Sequence, residues 1–417
     1  MTHPPVVVVA SSARSAPRTG SLTVVAEARK GRALEHSEGI MAGIQPVAPA
    51  SATTGSRTVE TVIVGGGQAG LATAYWLTRA GRECVVLEAR ARVGNQWRER
   101  YDSLRLFTPA RADGLPGTPF PGRKSAWPTG RELADYLENY AATLGAVVRT
   151  GVRVVEVDIA EGGGFVLSTT DGALRSRNVV LAAGSDSSPK IPEVAAQLDP
   201  GIRQLHSSQY RNPAQLLPGP VLVVGASQSG ADLALEAAQA GHETWLSGRN
   251  HGEIPVDERL AAPVFWFASN HLLTLRTPIG RKLRPAIRRG GSPLIRTKRA
   301  DLDGAGVQRT TARTVGSQDG RPVLEDGTVL DVANVLWCTG YRPDYSFVRP
   351  AVVGPDGYPA ETEGAADGVP GLFYVGLIFQ RGFYSHLVGG VGRDARFVAD
   401  RIAARSPSGY PVAAQGQ

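Results

Sequence analysis

The stretch TVIVGGGQAG, Thr61–Gly70, decides the fold of this chain, and VLVVGASQSG, Val221–Gly230, repeats it 160 residues later. In each copy an apolar, β-branched run predicts a buried strand, the glycine-rich segment a tight turn, and the next ten residues a helix. The first helix, LATAYWLTRA, ends at Gly81 and leads into the strand CVVLE; the second, ADLALEAAQA, ends at Gly241 and leads into TWLS. Gly65 maps onto Gly225, Gly70 onto Gly230 and Gly81 onto Gly241, all at the same offset. A complete strand–helix–strand unit has therefore been written twice.

Such a unit binds the pyrophosphate of a dinucleotide at the helix N-terminus. In the first copy Gly65 permits the turn, Gly67 lets the backbone approach the phosphates and Gly70 lets helix pack on strand. Gln68 and Ala69 lie in the same loop. Glu88 stands 23 residues after Gly65, at the end of the second strand, where a carboxylate accepts both ribose hydroxyls. In the second copy Gly225, Ser227, Gln228, Ser229 and Gly230 form the turn, with Ser227 replacing the middle glycine. The position equivalent to Glu88 is Gly248, flanked by Ser247 and Arg249. A 2'-phosphate is repelled by an acid and attracted by a guanidinium and a hydroxyl, so this copy is expected to take NADPH. The intact, acid-bearing copy is expected to take FAD.

The resulting expectation is an α/β fold with two Rossmann-like dinucleotide-binding domains, the NADPH domain inserted into the FAD domain. Residues 58–190 form the first part of the FAD domain, 191–333 the NADPH domain, and 334–405 the second part of the FAD domain. NVVLAAGS (178–185) and NVLWCTGYRPD (334–344) are strands ending in two small residues and a glycine, Gly184 and Gly340. They carry the chain between the two domains. Residues 1–57, rich in Ala, Ser, Thr, Pro and Arg, read as a disordered tail, and 406–417 as a second tail. The only methionines are Met1 and Met41, so Met41 offers an alternative start.

Composition is that of an ordinary globule, with 42% hydrophobic and 20% charged residues and a net charge of +7. The two cysteines, Cys84 and Cys338, sit in apolar runs and form no C-x-x-C pair, which argues against a zinc ribbon or a dithiol redox centre and fits a reducing cytoplasm. No nucleic-acid recognition motif is present. Residues 261–300 contain no acid but accumulate Arg276, Arg281, Lys282, Arg284, Arg288, Arg289, Arg296, Lys298 and Arg299. Three readings stay open for this basic insertion: a solvated arm of the NADPH domain, a membrane-surface segment, or a site for an acidic ligand.

GGGQAG with Glu88, VGNQWRERYDSLRLFTP, LPGTPFPG, WPTGRELADYLENYA, LHSSQY, GASQSG with Arg249, CTGYRPD, and VPGLFYVGL with GFYSHLVGGVGRDARFVADRI together resemble the class B, flavin-containing monooxygenase-like flavoproteins over residues 58–405. The resemblance implies that Gln96 and Trp97 contact the flavin. It further implies that NADPH reduces the flavin by hydride transfer, oxygen adds at flavin C4a, and a small organic substrate is oxygenated by N- or S-oxidation or by Baeyer–Villiger insertion. Two departures stand out. Phe107 occupies the place of an asparagine in many members, leaving Thr108 as the neighbouring hydroxyl. Pro200 and Ile202 replace the Phe and Gly that precede the family's histidine, here His206. Thr108 and His206 are the catalytic candidates. The resemblance also places Gly376 beside the ribityl chain, and Ser385 and His386 at the start of the last helix. An NADPH-dependent reductase with a non-oxygen acceptor, and a nucleotide sensor without turnover, are the alternatives.

Overall fold

A computed structural model describes residues 58–405 except 186–187, 255–263, 265–266 and 352. The expected tails at 1–57 and 406–417 lie outside the described residues.

Two parallel sheets repeat one plan. In the first, five parallel strands lie in the order Val148–Thr150, Cys84–Glu88, Thr58–Val64, Gly172–Leu181, Leu372–Tyr374. In the second, five parallel strands lie in the order Gln308–Thr310, Thr244–Ser247, Val221–Val224, Asn334–Trp337, Arg203–His206. Even Val148 and Gln308, which open the outermost strands, keep the offset of 160. Antiparallel strands Val154–Ile159 and Phe165–Thr169 extend the first sheet from Gly172–Leu181. All strands of the second sheet fall between Leu181 and Leu372 in the chain, so the second unit is inserted into the first.

The central strands are buried on both faces, as parallel strands covered by helices must be. Val221–Val224 and Asn334–Trp337 are buried throughout. Helix Gln68–Arg79 presses Leu71, Ala72, Ala74 and Leu77, all fully buried, on the first sheet and against the last helix, Gly392–Ala403. Helix Gln228–Gln239 does the same in the second sheet with Ala231, Leu233, Ala234 and Ala237. Helix Gly130–Thr143 starts at a reciprocal cap: Thr129 Oγ1 accepts the N–H of Glu132, and the Glu132 carboxylate accepts the N–H of Thr129.

Three expectations need correction. The strand Asn334–Trp337, expected to open the returning half of the outer domain, is paired on both sides within the inner sheet; the return begins after Trp337. Cys338 follows that strand instead of lying in it. The last helix begins at Gly392, and Ser385 belongs to a separate turn, Phe383–His386, where its Oγ accepts the N–H groups of Arg381 and Gly382.

Candidate functional site

The glycine turn of the first unit is shaped by backbone contacts that leave no room for side chains. Gly65 has φ +108°, and a Cβ there would lie 2.6 Å from the Ala182 carbonyl oxygen, at the end of the neighbouring strand. A Cβ on Gly70 would overlap the carbonyl of Gly65. The second unit repeats both constraints: Gly225, φ +109°, abuts the Cys338 carbonyl, and Gly230 abuts the Gly225 carbonyl. Each turn delivers its chain into the N-terminus of a helix, at Gln68 and at Gln228.

The turns differ at the end of the adjoining strand. In the first unit Glu88 Oε2 accepts the N–H of Gly66 at 2.8 Å and Oε1 that of Arg90 at 2.9 Å. In the second, Gly248 has φ +149°, and a Cβ there would lie 2.8 Å from the Ala226 nitrogen. No side chain is tolerated where Glu88 has its counterpart. Arg249 is exposed just beyond, next to His251, whose pKa is lowered by burial and by the Arg249 charge.

A cleft of about 700 Å³ runs along the first turn, a size suited to a dinucleotide. Gly65, Gly67, Gln68, Ala69, Glu88, Gln96, Gly184 and Gly376 all line it. Gly70 is buried behind the turn, and Trp97 does not reach the cleft surface. Gln68 Oε1, on the cleft lining, is buried without a hydrogen-bond partner, a leftover acceptor beside the glycine cradle; Trp97 Nε1 is likewise unpartnered but lies behind the lining. The set fits FAD: a carboxylate for ribose hydroxyls, a helix N-terminus for pyrophosphate and a spare polar atom at Gln68.

Further along the cleft, Pro189, Ser208 and Tyr341 bring in the crossing segments between the two sheets. His206 is buried there. Its Nε2 lies 3.0 Å from the Gly340 carbonyl oxygen and therefore carries the proton; its Nδ1, 2.9 Å from Ser208 Oγ, accepts. The ring meets Tyr341 edge to face at 5.0 Å, and the Arg100 guanidinium covers the other ring 4.7 Å from its centroid. The Gly340 carbonyl also accepts the N–H of Lys190. His206 thus holds the second crossing at Gly340, which Lys190 ties to the first, and its geometry is that of a positioning residue.

Two further candidates are placed differently from expectation. Ser247 is fully buried, and its hydroxyl donates to the Ala312 carbonyl at 2.7 Å, so it braces the strand end. Thr108 is buried and donates to Asp113 Oδ1 at 2.6 Å. Asp113 is fully buried, its Oδ2 has no hydrogen-bond partner, and burial pushes its pKa up to about 7 against the lowering effect of Thr108. Asp113, Arg100 and Tyr341 escaped the sequence reading. Only Tyr341 left a signal, as the aromatic residue after the crossing glycine.

In the second turn the side chains are engaged, two of them by the insertion and the third by Tyr101. Ser227 Oγ accepts the N–H of Ser292 at 3.0 Å, Gln228 Nε2 donates to the Pro293 carbonyl, and Ser229 shares the Tyr101 hydroxyl with Asp232. Arg296 and Thr297 also reach Asp232. The insertion is therefore packed onto the cradle through several of its polar groups, contrary to a freely solvated arm.

Comparison with known proteins agrees with this geometry. Residues 62–264 match the pyridine nucleotide-disulphide oxidoreductase family. The chain is 34% identical over 346 residues to an uncharacterized CzcO-like oxidoreductase of Geobacillus kaustophilus, covering 82% of this chain and 98% of the relative. The chain belongs to the CzcO-like oxidoreductases. This CzcO-like chain also shares 33% identity over 215 residues with the indole-3-pyruvate monooxygenase YUCCA1 of Oryza sativa, covering 50% of this chain and 52% of that one. Among solved structures, a flavin-containing monooxygenase from Stenotrophomonas maltophilia superposes with a TM-score of 0.68 at 27% identity, over 84% of the CzcO-like chain and 99% of its own. The protein is an oxidoreductase of the CzcO-like family, with the two-dinucleotide-domain fold of the flavin-containing monooxygenase it superposes on.

Proposed function

We propose that this chain is an FAD-dependent, NADPH-consuming monooxygenase acting on a small organic substrate with molecular oxygen. The observation that carries the reading is the pair of matched glycine cradles, one closed by Glu88 and the other unable to hold an acid and followed by exposed Arg249. FAD is assigned to residues 58–190 with 338–405, and NADPH to 191–337.

Bound along the first cleft, FAD would supply hydride acceptance from a nicotinamide and the activation of oxygen. The chain's part is to hold and shield. Glu88 accepts the ribose hydroxyls, and the turn at Gly65, Gly67 and Gly70 with the helix start at Gln68 and Ala69 takes the pyrophosphate. Gln96, Trp97, Gly184 and Gly376 receive the ring and its linker. Gly225, Ser229 and Gly230 cradle the second pyrophosphate, Ser227 and Gln228 hold the insertion against it, and Arg249 meets the 2'-phosphate. His206 and Gly340 fix the crossings, so the two nucleotides keep their relative placement. Cys84 and Cys338, both free thiols, support a cytoplasmic setting. Among the described residues no helix is long and apolar enough to cross a membrane.

A second reading, a reductase with a non-oxygen acceptor, is favoured by one observation: Phe107 lacks a donor, and the neighbouring Thr108 hydroxyl gives its proton to Asp113. The test is product analysis under labelled oxygen with amines, sulfides and cyclic ketones. Incorporation of one labelled oxygen atom per NADPH consumed supports the monooxygenase. Sustained NADPH oxidation with an added acceptor and no labelled product supports the reductase.

A further inference from the structure

The helix Pro278–Arg288 within the basic insertion is turned inside out. It starts at a Thr277 cap, where Oγ1 accepts the N–H of Gly280, with Pro278 at the first position. Arg284 and Arg288 face the protein. Arg284 Nη2 lies 2.8 Å from Glu361 Oε1, and Arg288 reaches Glu361 and Asp356, both at 3.3 Å. Arg288 also donates to the Ile378 carbonyl and lies over the Tyr358 ring at 4.3 Å. The Glu361 side chain is 1% exposed and that of Arg288 5%.

The opposite face carries the apolar side chains. Ile279 and Leu283, one helical turn apart, are 57% and 38% exposed. Leu272 and Phe267, on the preceding helical turn, are 47% and 61% exposed. That turn is tied to the helix start by Thr277 Oγ1, which donates to the Leu272 carbonyl. Arg276, Arg281, Lys282 and Arg289 are exposed along the same segment, Arg281 with one guanidinium nitrogen on the Leu275 carbonyl. A surface helix of a soluble domain normally does the reverse. Rotating this one to hide Ile279 and Leu283 would strip the buried Glu361 carboxylate of both guanidinium partners, which is strongly disfavoured. The ion pairs therefore hold the apolar face outward.

We propose that this face rests on an anionic lipid surface. Phe267, Leu272, Ile279 and Leu283 enter the boundary between headgroups and acyl chains. Arg276, Arg281, Lys282 and Arg289 meet the lipid phosphates. Charge selects this occupant over a second copy of the chain. A two-fold contact through the patch would set its cations against themselves, and residues 261–300 contain no acid to relieve that. The inference does not rest on the reaction assigned above.

The test is flotation of the full chain with vesicles of phosphatidylcholine alone, and of phosphatidylcholine with phosphatidylserine, at low and high salt. The expected result is binding to the anionic vesicles, weakened by salt and far weaker on neutral ones. Lys282→Glu is expected to lower the affinity about five-fold or more. Ile279→Asp and Leu283→Asp are each expected to lower it about ten-fold or more. All three variants should keep the melting temperature and flavin content of the parent. A parent chain that ignores anionic vesicles overturns the proposal, as do aspartate variants that bind like the parent. A dimer that Leu283→Asp dissolves without any lipid binding would assign the face to a second copy instead.

Discussion

Glu88 closes the first nucleotide turn by accepting the backbone N–H of Gly66 at 2.8 Å. Its other oxygen is held by Arg90, so the carboxylate is aimed before any ligand arrives. Removing it takes away a charged acceptor from the ligand and a brace from the turn. Hydrogen bonds to charged groups contribute about 1.5–3 kcal/mol, so Glu88→Ala should weaken flavin binding by roughly ten- to a hundred-fold. Visible flavin absorbance per protein after gel filtration reads this directly. Glu88→Gln, which keeps an acceptor, should fall between variant and parent. Full flavin retention by Glu88→Ala would show that the acid does not touch the ribose.

The two turns can be broken separately. A methyl on Gly225 meets the Cys338 carbonyl and forces a φ of +109° on an alanine. Gly225→Ala should raise the KM for NADPH about ten-fold or more, an order taken from the strain of such a backbone, while the flavin stays bound. Gly65→Ala, against the Ala182 carbonyl, should do the opposite and yield colourless protein. If both variants lose flavin, the turns are not independent sites.

Arg249 is exposed beside a strand end that cannot carry an acid. Arg249→Ala should raise the KM for NADPH about ten-fold or more, with little change for NADH, since only NADPH offers a phosphate to the guanidinium. Ser247→Ala should leave the ratio of the two unchanged, because that hydroxyl serves Ala312. Steady-state kinetics with both coenzymes decides; an equal effect of Arg249→Ala on each would remove Arg249 from recognition of the phosphate.

Asp113 ties stability to pH. Its pKa rises from 3.8 to about 7 because burial outweighs the Thr108 hydrogen bond. The folded chain thus holds this proton more tightly than the unfolded chain. The stabilisation is complete below the unfolded value and is lost as pH rises through the folded one. A rise of this size corresponds to about 4 kcal/mol at most. Asp113→Asn keeps an acceptor for Thr108 and cannot ionise. Its melting temperature relative to the parent should climb between acid and mildly alkaline pH. A constant difference across that range would show that Asp113 does not titrate there.

The doubled unit was legible because its glycines answer to local constraints. Gly65, Gly70, Gly225 and Gly230 sit where a Cβ has no space, and spacing alone exposes them. The outcome at Ser247 was not legible, because its hydroxyl direction is set by Ala312, which lies 65 residues away in the chain. Strand Asn334–Trp337 was recognised as a strand but given to the wrong sheet, since lateral pairing with Val221–Val224 and Arg203–His206 leaves no mark within the strand itself. Asp113 reads as a turn residue, and only tertiary burial makes it titrate near neutrality. The outward apolar face of Pro278–Arg288 likewise depends on Glu361, 77 residues beyond Arg284.

That last partnership limits how the protein can be rebuilt. Arg284 and Arg288 travel with the inserted segment, but the carboxylates that receive them, Glu361 and Asp356, belong to the chain that returns to the first sheet. A graft that exchanges residues 191–337 with those of a relative also replaces one half of a buried ionic lock. Chimeras intended to swap coenzyme preference should therefore be cut to keep lock and key from the same parent, or they will join two healthy halves at a mismatched seam.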